Sequence, residues 1–564
     1  MFRALLLAAG LSLGLTAAAA QNAGPYLAGR AAQIDDDFAA SARYLAEAYR
    51  RDPSNLPVME ALIGAYVSLG RFDRAEAVAS DLVAAHGTSQ VAALALVVQE
   101  AASGNWADLM DDLDNGISVG PLFDGLARGW ALVAEDRVEE ALTAFDSLSD
   151  DGTGNVAAYG IYYRALAEAS LGRFEDAAAT FEGAGDLSLT RRGLRARVQI
   201  LSQLGRNEEA LALLDAQTGD ALDATIDTTR AELEAGETLA FTIAPTPRAG
   251  LAEVSVDIAN AVVGSTAPSY ALLYSRAAER LRPDLVEATL LSAVLLEDMG
   301  QIDLAIDAYA SIPADAPAYP TAELARAEAL RAAGRTEEAL TAMRALAEAY
   351  PDLPLAHVTL GDAFRDADRF AEARDAYDAA IALFDEERSG QWIVYFARAI
   401  TSERLGDWDR AEADFSRALE LNPDQPQVLN YLGYSLLQRG ERLQEALDLI
   451  EQAAAQAPNS GYIIDSLGWG LYRLGRYREA VEPMERAVEL MPVDPVLNDH
   501  LGDVLWAVGR KLEARFQWQR ALSFVDNDQS GEVEPDRIRR KLEVGLDRVL
   551  EEEGAPPLKV ADGG

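Results

Sequence analysis

The sequence predicts an all-α protein: a superhelical solenoid of about fourteen helix-turn-helix repeats in two sub-arrays, closed by a C-terminal capping helix. Three observations predict it. A Leu-Gly pair recurs at Leu432-Gly433, Leu467-Gly468 and Leu501-Gly502, a period of about 34 residues. A turn glycine follows each pair, at Gly440, Gly475 and Gly509, and an alanine follows each turn, at Ala446, Ala480 and Ala514. Proline closes each unit, at Pro423, Pro458 and Pro492. The physical reading is two short helices packed antiparallel across a tight turn. The small residue after leucine lets them approach, and glycine takes the turn at low steric cost. Proline ends one unit and opens the next.

The chain has 564 residues, too many for one ordinary core. A repeat array escapes that limit because each unit touches only its neighbours. The charge balance is 49 basic against 92 acidic residues, a net of −43. So acidic a surface repels phosphate backbones, which argues against nucleic acid and suits a partner with a basic face. Lysine occurs only at Lys511, Lys541 and Lys559. The absence of cysteine excludes disulfides and thiol chemistry.

Residues 1–20 are expected to be a signal peptide. Arg3 is the positive region, Ala4 to Leu15 the apolar run, and Ala18-Ala19-Ala20 precedes a cleavage before Gln21. This predicts export to the periplasm. With no cysteine to acylate, the expectation is a protein that is not a lipoprotein. No transmembrane segment is expected in the mature chain.

Residues 21–218 read as a degenerate N-terminal array. Its units keep Gly29 and Pro53; Gly70 and Ala75; Gly104 and Pro121; Gly129, Ala141 and Phe145; Gly172, Ala177 and Phe181; Gly205 and Ala210. The pattern breaks at 219–250, where TLAFTIAPTPRAG holds Pro245 and Pro247, and we expect an irregular insert. It returns over 251–525 with Pro283, then Gly300 and Ala305, Gly334 and Ala339, Gly361 and Ala373, and Gly406 and Ala411, before the three clearest units. Residues 526–564 read as an acidic loop, a capping helix over Glu534 to Glu553, and a tail. A solenoid end needs such a polar cover.

The W/L-G-Y, Ala, Phe and Pro spacing resembles the tetratricopeptide repeat. The run EADFSRALELNPDQPQVLNYLGYSLLQRG, with GYIIDSLGWGLYRLGRYREAV and NDHLGDVLWAVGRKLEARFQW, resembles a family of bacterial envelope tetratricopeptide-repeat proteins. In its best-understood branch these are outer-membrane-attached adaptors. They bind a periplasmic carboxyl-terminal processing protease and present cell-wall hydrolases to it. The resemblance implies protein or peptide partners of that kind. The chain departs from those adaptors in lacking their lipidated N-terminal cysteine. Other envelope members serve polysaccharide secretion or outer-membrane assembly, which is the alternative reading.

By the geometry of that repeat family, the second, fifth, ninth, twelfth and thirteenth places of each first helix face a concave groove. Here these include Gln427, Asn430, Tyr434 and Gln438; Tyr462, Asp465, Trp469, Tyr472 and Arg473; and Asp499, Asp503 and Trp506. Amides and carboxylates there would hold a peptide backbone, and aromatics would take its apolar side chains. The bland alternative is that Trp469 and Trp506 are packing residues. No catalytic residue is expected: Asp465, Ser466 and His500 fall close in sequence pattern, but Ser466 sits in a helix body, not in a strained turn. No cofactor is expected. DNDQSGEVE begins like a calcium loop, with Asp526, Asp528 and Ser530 as candidate oxygens. Arg537 stands where such a loop has its bidentate glutamate, so no metal site is expected and the segment reads as an acidic linker.

Overall fold

The computed structural model describes residues 23–151, 155–184, 190–218, 224–384, 388–527 and 533–558. The expected signal peptide, Asp528 and Ser530 lie outside these residues. Every regular element among the described residues is a helix.

The chain divides into two compact units, Met1–Ala339 and Leu340–Gly564. The first holds α1 (23–34), α2 (Phe38–Arg51), α3 (Leu56–Ser68), α4 (Phe72–His86), α5 (Gln90–Ser103) and α6 (Trp106–Asp114). It continues with α7 (Pro121–Ala134), α8 (Val138–Asp151), α9 (Asn155–Ser170), α10 (Phe174–Gly183), α11 (Arg191–Gln203), α12 (Asn207–Thr218) and α13 (Ala224–Glu234). Then come α14 (Pro247–Val262), α15 (Pro268–Leu281), α16 (Val286–Asp298), α17 (Ile302–Ala310) and α18 (Tyr319–Ala332). The division falls inside α19 (Thr336–Ala349). The second unit holds α20 (Pro354–Asp366), α21 (Phe370–Ala382), α22 (Trp392–Arg404), α23 (Trp408–Leu421), α24 (Pro426–Arg439) and α25 (Leu443–Gln456). It ends with α26 (Gly461–Arg473), α27 (Tyr477–Leu490), α28 (Pro495–Ala507), α29 (Lys511–Ser523), α30 (Pro535–Val544) and α31 (Leu546–Glu552).

Successive pairs form the hairpins the sequence predicts, with α13 standing outside the pairing and α30–α31 following the last pair. The turn glycines take left-handed backbone: φ is 69° at Gly440, 78° at Gly475 and 86° at Gly509. The same slot is filled at φ 59° by Asp136 and at φ 56° by Asp368, a residue type that tolerates this region. Ala446, Ala480 and Ala514 are fully buried. The glycines after leucine sit hard against the second helix. A Cβ on Gly433 would lie 2.7 Å from Ile450 Cγ1 and 2.8 Å from the Ala446 carbonyl oxygen, and one on Gly502 would lie 2.4 Å from the Trp518 ring.

The pattern break at 219–250 resolves into two parts where it is described. Ala224–Glu234 is helical, and 237–246 runs without helix. That second stretch is tied to α11 by side chains that replace backbone partners. Gln199 accepts from the Thr242 N–H at 2.9 Å and donates to its hydroxyl at 2.9 Å. The Leu239 N–H donates to Ser202 Oγ at 2.9 Å, and the Ile243 carbonyl accepts from Arg282 at 2.8 Å. Ile243 and Ala244 are buried, so their peptide groups need these partners. The chain's two compact units therefore do not part at this stretch.

Expected outcome: Gly433→Ala loses about 1–3 kcal/mol, because its Cβ meets a backbone carbonyl that cannot step aside. Gly468→Ala loses less, because its Cβ meets the flexible side chain of Met484. Urea denaturation of the two variants checks the order.

Candidate partner-binding faces

In the first unit the inner face of the array is already filled. The first helices of four hairpins, α3, α5, α7 and α9, pack against the hairpin α14–α15 of the same chain. Residues of α14 are buried all round, including Leu251, Glu253, Val254, Ser255, Val256 and Asp257. Gly250 lies so close to Trp130 that a Cβ would fall 2.1 Å from the ring. Polar groups go in with partners. Arg192 grips Glu253 through two bonds of 2.6 and 2.7 Å, and Tyr163 donates to Asp257 at 2.6 Å. On α15, Arg276 donates to the Ser68 carbonyl at 3.1 Å, and Arg280 donates to Gln99 at 2.9 Å and pairs with Asp73 at 3.0 Å. Burial and the neighbouring Glu253 push the Asp257 carboxyl up to about 7, against the opposing pull of Tyr163 and Arg192. The sequence reading missed this occupant. No local signal announced it: LAEVSVDIANAV carries Glu253, Asp257 and Asn260 on one helix face, which reads as a stripe turned to solvent.

In the second unit the predicted residues divide between packed and open ones. Asp499, Asp503 and Trp506, expected to line an open groove, are engaged by α30–α31. Lys541, fully buried, donates to both Asp499 oxygens at 2.9 Å and to Asp503 Oδ1 at 2.7 Å. Asp503 also accepts from Trp518 Nε1 at 2.9 Å and lies 3.8 Å from Arg537. Trp506 donates to Asp547 at 2.9 Å and packs on Gly545. Burial raises the Asp503 carboxyl, while Lys541 pulls it the other way.

Asp465 is buried too. It pairs with His500 Nδ1 at 2.9 Å. The His500 ring stacks on Trp469 at 4.0 Å between centroids, and Trp469 stacks on Tyr472 at 4.7 Å. Burial opposes protonation of His500, but Asp465, with Asp499 and Asp503, outweighs it and holds the imidazole above its ordinary value. Ser466 donates to the Tyr462 carbonyl at 3.0 Å, one turn back along its own helix, so it does not complete the Asp465–His500 pair as a nucleophile. Burial pushes the Tyr472 hydroxyl well up.

The open residues are Tyr462, 56 % exposed, with partly buried Asn430 and Tyr434. The Asn430 Oδ1 is enclosed and has no hydrogen-bond partner, and Tyr434 accepts from Gln438 at 2.8 Å. Two further residues join this face that the sequence reading did not name. Leu355 and Ile393 are the second residues of α20 and α22, as Tyr462 is of α26, and they are 54 % and 53 % exposed. Second, fifth and ninth places share one helix face. No group of histidine and carboxylate side chains among the described residues could hold a metal ion, and Asp526 alone of the calcium candidates is described. No described helix is long and apolar enough to cross a membrane.

Expected outcome: Asp499→Ala leaves Lys541 buried with one carboxylate fewer and loses about 3–5 kcal/mol, read by urea denaturation. Asp257 has a folded pKa raised above its unfolded value. The protonated fold is therefore favoured at low pH, and that stability is lost as pH rises through about 7. Asp257→Asn, which can still accept from Tyr163, should gain stability relative to wild type between pH 5.5 and 8.5. Chemical denaturation at both pH values checks it.

The chain matches the tetratricopeptide repeat family over residues 126–188, 324–388 and 396–461, and a second description of the same repeat over 32–96. It is 35% identical over 83 residues to the TPR repeat-containing protein PA4667 of Pseudomonas aeruginosa. That match spans 15% of this chain and 14% of the relative. Among solved structures, a chain of the APC/C hetero-tetramer Cut9-Hcn1 is similar at 14% identity and a TM-score of 0.37, over 93% of this chain and 96% of that one. A tetratricopeptide repeat protein from Parabacteroides merdae aligns at 15% identity and a TM-score of 0.37, over 46% of this chain and 98% of its own. YrrB, described as a TPR protein with an unusual peptide-binding site, aligns at 20% identity and a TM-score of 0.26, over 30% of this chain and 86% of its own. The matched segments are tetratricopeptide repeats, and the fold is an all-α tetratricopeptide-repeat solenoid.

Proposed function

We propose that this chain is a non-enzymatic periplasmic scaffold that binds protein or peptide partners on the inner face of its second unit. The observation that carries this reading is a contrast between two faces built from the same kind of helix. In the first unit the inner face is enclosed by α14–α15. In the second, Leu355, Ile393 and Tyr462 stand more than half exposed at the starts of α20, α22 and α26. Apolar side chains held at the solvent on rigid helices favour docking over solvation. The periplasmic part rests on Arg3, the apolar run to Leu15 and Ala18-Ala19-Ala20.

The finer version is an adaptor that brings substrates to an envelope carboxyl-terminal processing protease. It rests on the likeness of Gln391 to Ser523 to such adaptors. Holding protease and substrate on one scaffold raises their effective concentration. A role in exopolysaccharide secretion or outer-membrane biogenesis is the alternative, favoured by nothing as specific.

The test is crosslinked affinity capture from periplasm with Gln21–Gly564 as bait, run beside an Asn430→Ala/Tyr462→Ala double variant. Both positions avoid the Lys541 and His500 ion pairs, so folding should be retained. The expected result is recovery of the protease with cell-wall hydrolases by wild type, and at least a fivefold drop with the variant. Recovery of secretion or assembly components alone would replace the adaptor reading with the alternative. Equal recovery by both baits would remove the partner from this face.

A further inference from the structure

The last hairpin departs from the others on its outer side. Ala514 of α29 is fully buried, as are Ala446 in α25 and Ala480 in α27. Two places before and two places after that alanine, α25 has Gln444 and Asp448, and α27 has Arg478 and Glu482. The same places in α17, α19, α21 and α23 hold only aspartate, glutamate, threonine or alanine. In α29 they hold Leu512 and Phe516, which are 69 % and 59 % exposed. The two stand one turn apart on one side of the helix. The hairpin does not use them: α29 buries Ala514, Trp518 and Ala521 instead.

The charge of the helix changes sign at the same point. Helices α21, α23, α25 and α27 each carry more carboxylates than cations, whereas α29 carries Lys511, Arg515 and Arg520 against Glu513. Arg515 is three residues from Leu512 and Arg520 four from Phe516, the spacings of neighbours on a helix surface. Arg515 donates to the Leu542 carbonyl at 2.6 Å, and Arg520 to the Pro492 carbonyl at 2.7 Å. Neither pairs with a carboxylate among the described residues, and a neutral carbonyl leaves their charge uncompensated. Glu485 and Glu513 are both held by Arg510, and Lys511 lies 3.5 Å from Asp547. In a chain of net charge −43, a cationic helix with an exposed apolar pair attracts what the rest of the surface repels.

We propose that the side of α29 turned away from α28 docks an acidic amphipathic helix of a partner protein. Leu512 and Phe516 take its apolar stripe, and Arg515 and Arg520 take its carboxylates. This surface shares no residue with the inner face of the scaffold reading, so the two stand or fall apart.

The test uses a fluorescein-labelled synthetic helix of about 14 residues, matched to the length of α29. It carries leucines at i, i+3, i+4 and i+7 with glutamates beside them, and its control has arginine in place of every glutamate. Anisotropy is read against full-length Gln21–Gly564, against Leu512→Ser/Phe516→Ser and against Arg515→Gln/Arg520→Gln, in which glutamine can still donate to the two carbonyls. Melting curves confirm that both variants are folded. The expected result is saturable binding of the glutamate helix, about tenfold weaker for the apolar variant and about fivefold weaker for the arginine variant. The arginine helix adheres to the acidic surface at large and is unmoved by the apolar variant. Absence of saturable binding by the glutamate helix would overturn the proposal. Binding unchanged in the apolar variant places the contact elsewhere, and binding unchanged in the arginine variant removes the acidic requirement; either overturns it. The scaffold reading is decided separately, by capture with Asn430→Ala/Tyr462→Ala, which leaves α29 intact.

Discussion

A helical hairpin cannot bury its own apolar stripe; some other element must cover it. In this chain the cover for one side of each hairpin is the next hairpin, while glycines at the crossing bring the two helices of a single hairpin together. Gly361 against Tyr377, Gly433 against Ile450 and Gly502 against Trp518 leave no room for a methyl group. The crossing of the two helices within these hairpins is thereby settled by sterics. The inner face that runs across the stack is a second problem, and the protein treats it differently along its length. It encloses that face with α14–α15 in the first unit, and closes it with α30–α31 at the last hairpin. Only where neither occupant lies does the question of a partner arise.

Charge divides into two roles. Many ion pairs here join an arginine to a glutamate three residues on along an exposed helix, such as Arg476–Glu479 and Arg335–Glu338. Such pairs contribute little to stability. They do shield part of a surface whose net charge of −43 would otherwise repel itself. Enclosed pairs stand where an occupant helix meets the array, as Arg192 with Glu253 and Lys541 with Asp499 and Asp503, and also inside the stack, as Arg398 with Asp414 and His500 with Asp465. A buried pair adds less to stability than apolar packing would. What it adds is register, because a helix seated one residue out would strand its charge in a dry site.

The hairpins, their turns and their close approaches were legible in the sequence because each depends on a few residues at fixed spacing. Gly440, Gly475 and Gly509 have the left-handed backbone that the pattern demands. What covers the inner face was not legible, because it depends on contacts between residues far apart in the chain. Asp499, Asp503 and Trp506 occupy the same places in their helix as residues of an open groove, and nothing local separates a groove aspartate from one that receives Lys541 forty-two residues later. Leu355 and Ile393 were passed over for a related reason. An apolar residue at a helix start reads as core until its exposure is known.

The choice of lysine at position 541 follows from the same geometry. The chain places arginine at nearly every basic position and has three lysines in all. At Glu253 the acceptor is one carboxylate presenting both oxygens, and the flat fork of Arg192 meets it with two parallel bonds. Position 541 faces a different target: two carboxylates on successive turns of α28, with the Trp518 ring 5.8 Å from the ammonium nitrogen. A planar fork can also serve two carboxylates, as Arg192 does with Glu253 and Glu287. A compact ammonium with three donors can spread its bonds over Asp499 and Asp503 and still be fully enclosed. At Glu253 the carboxylate sits on the occupant and the arginine on the array, and at Lys541 the roles are reversed.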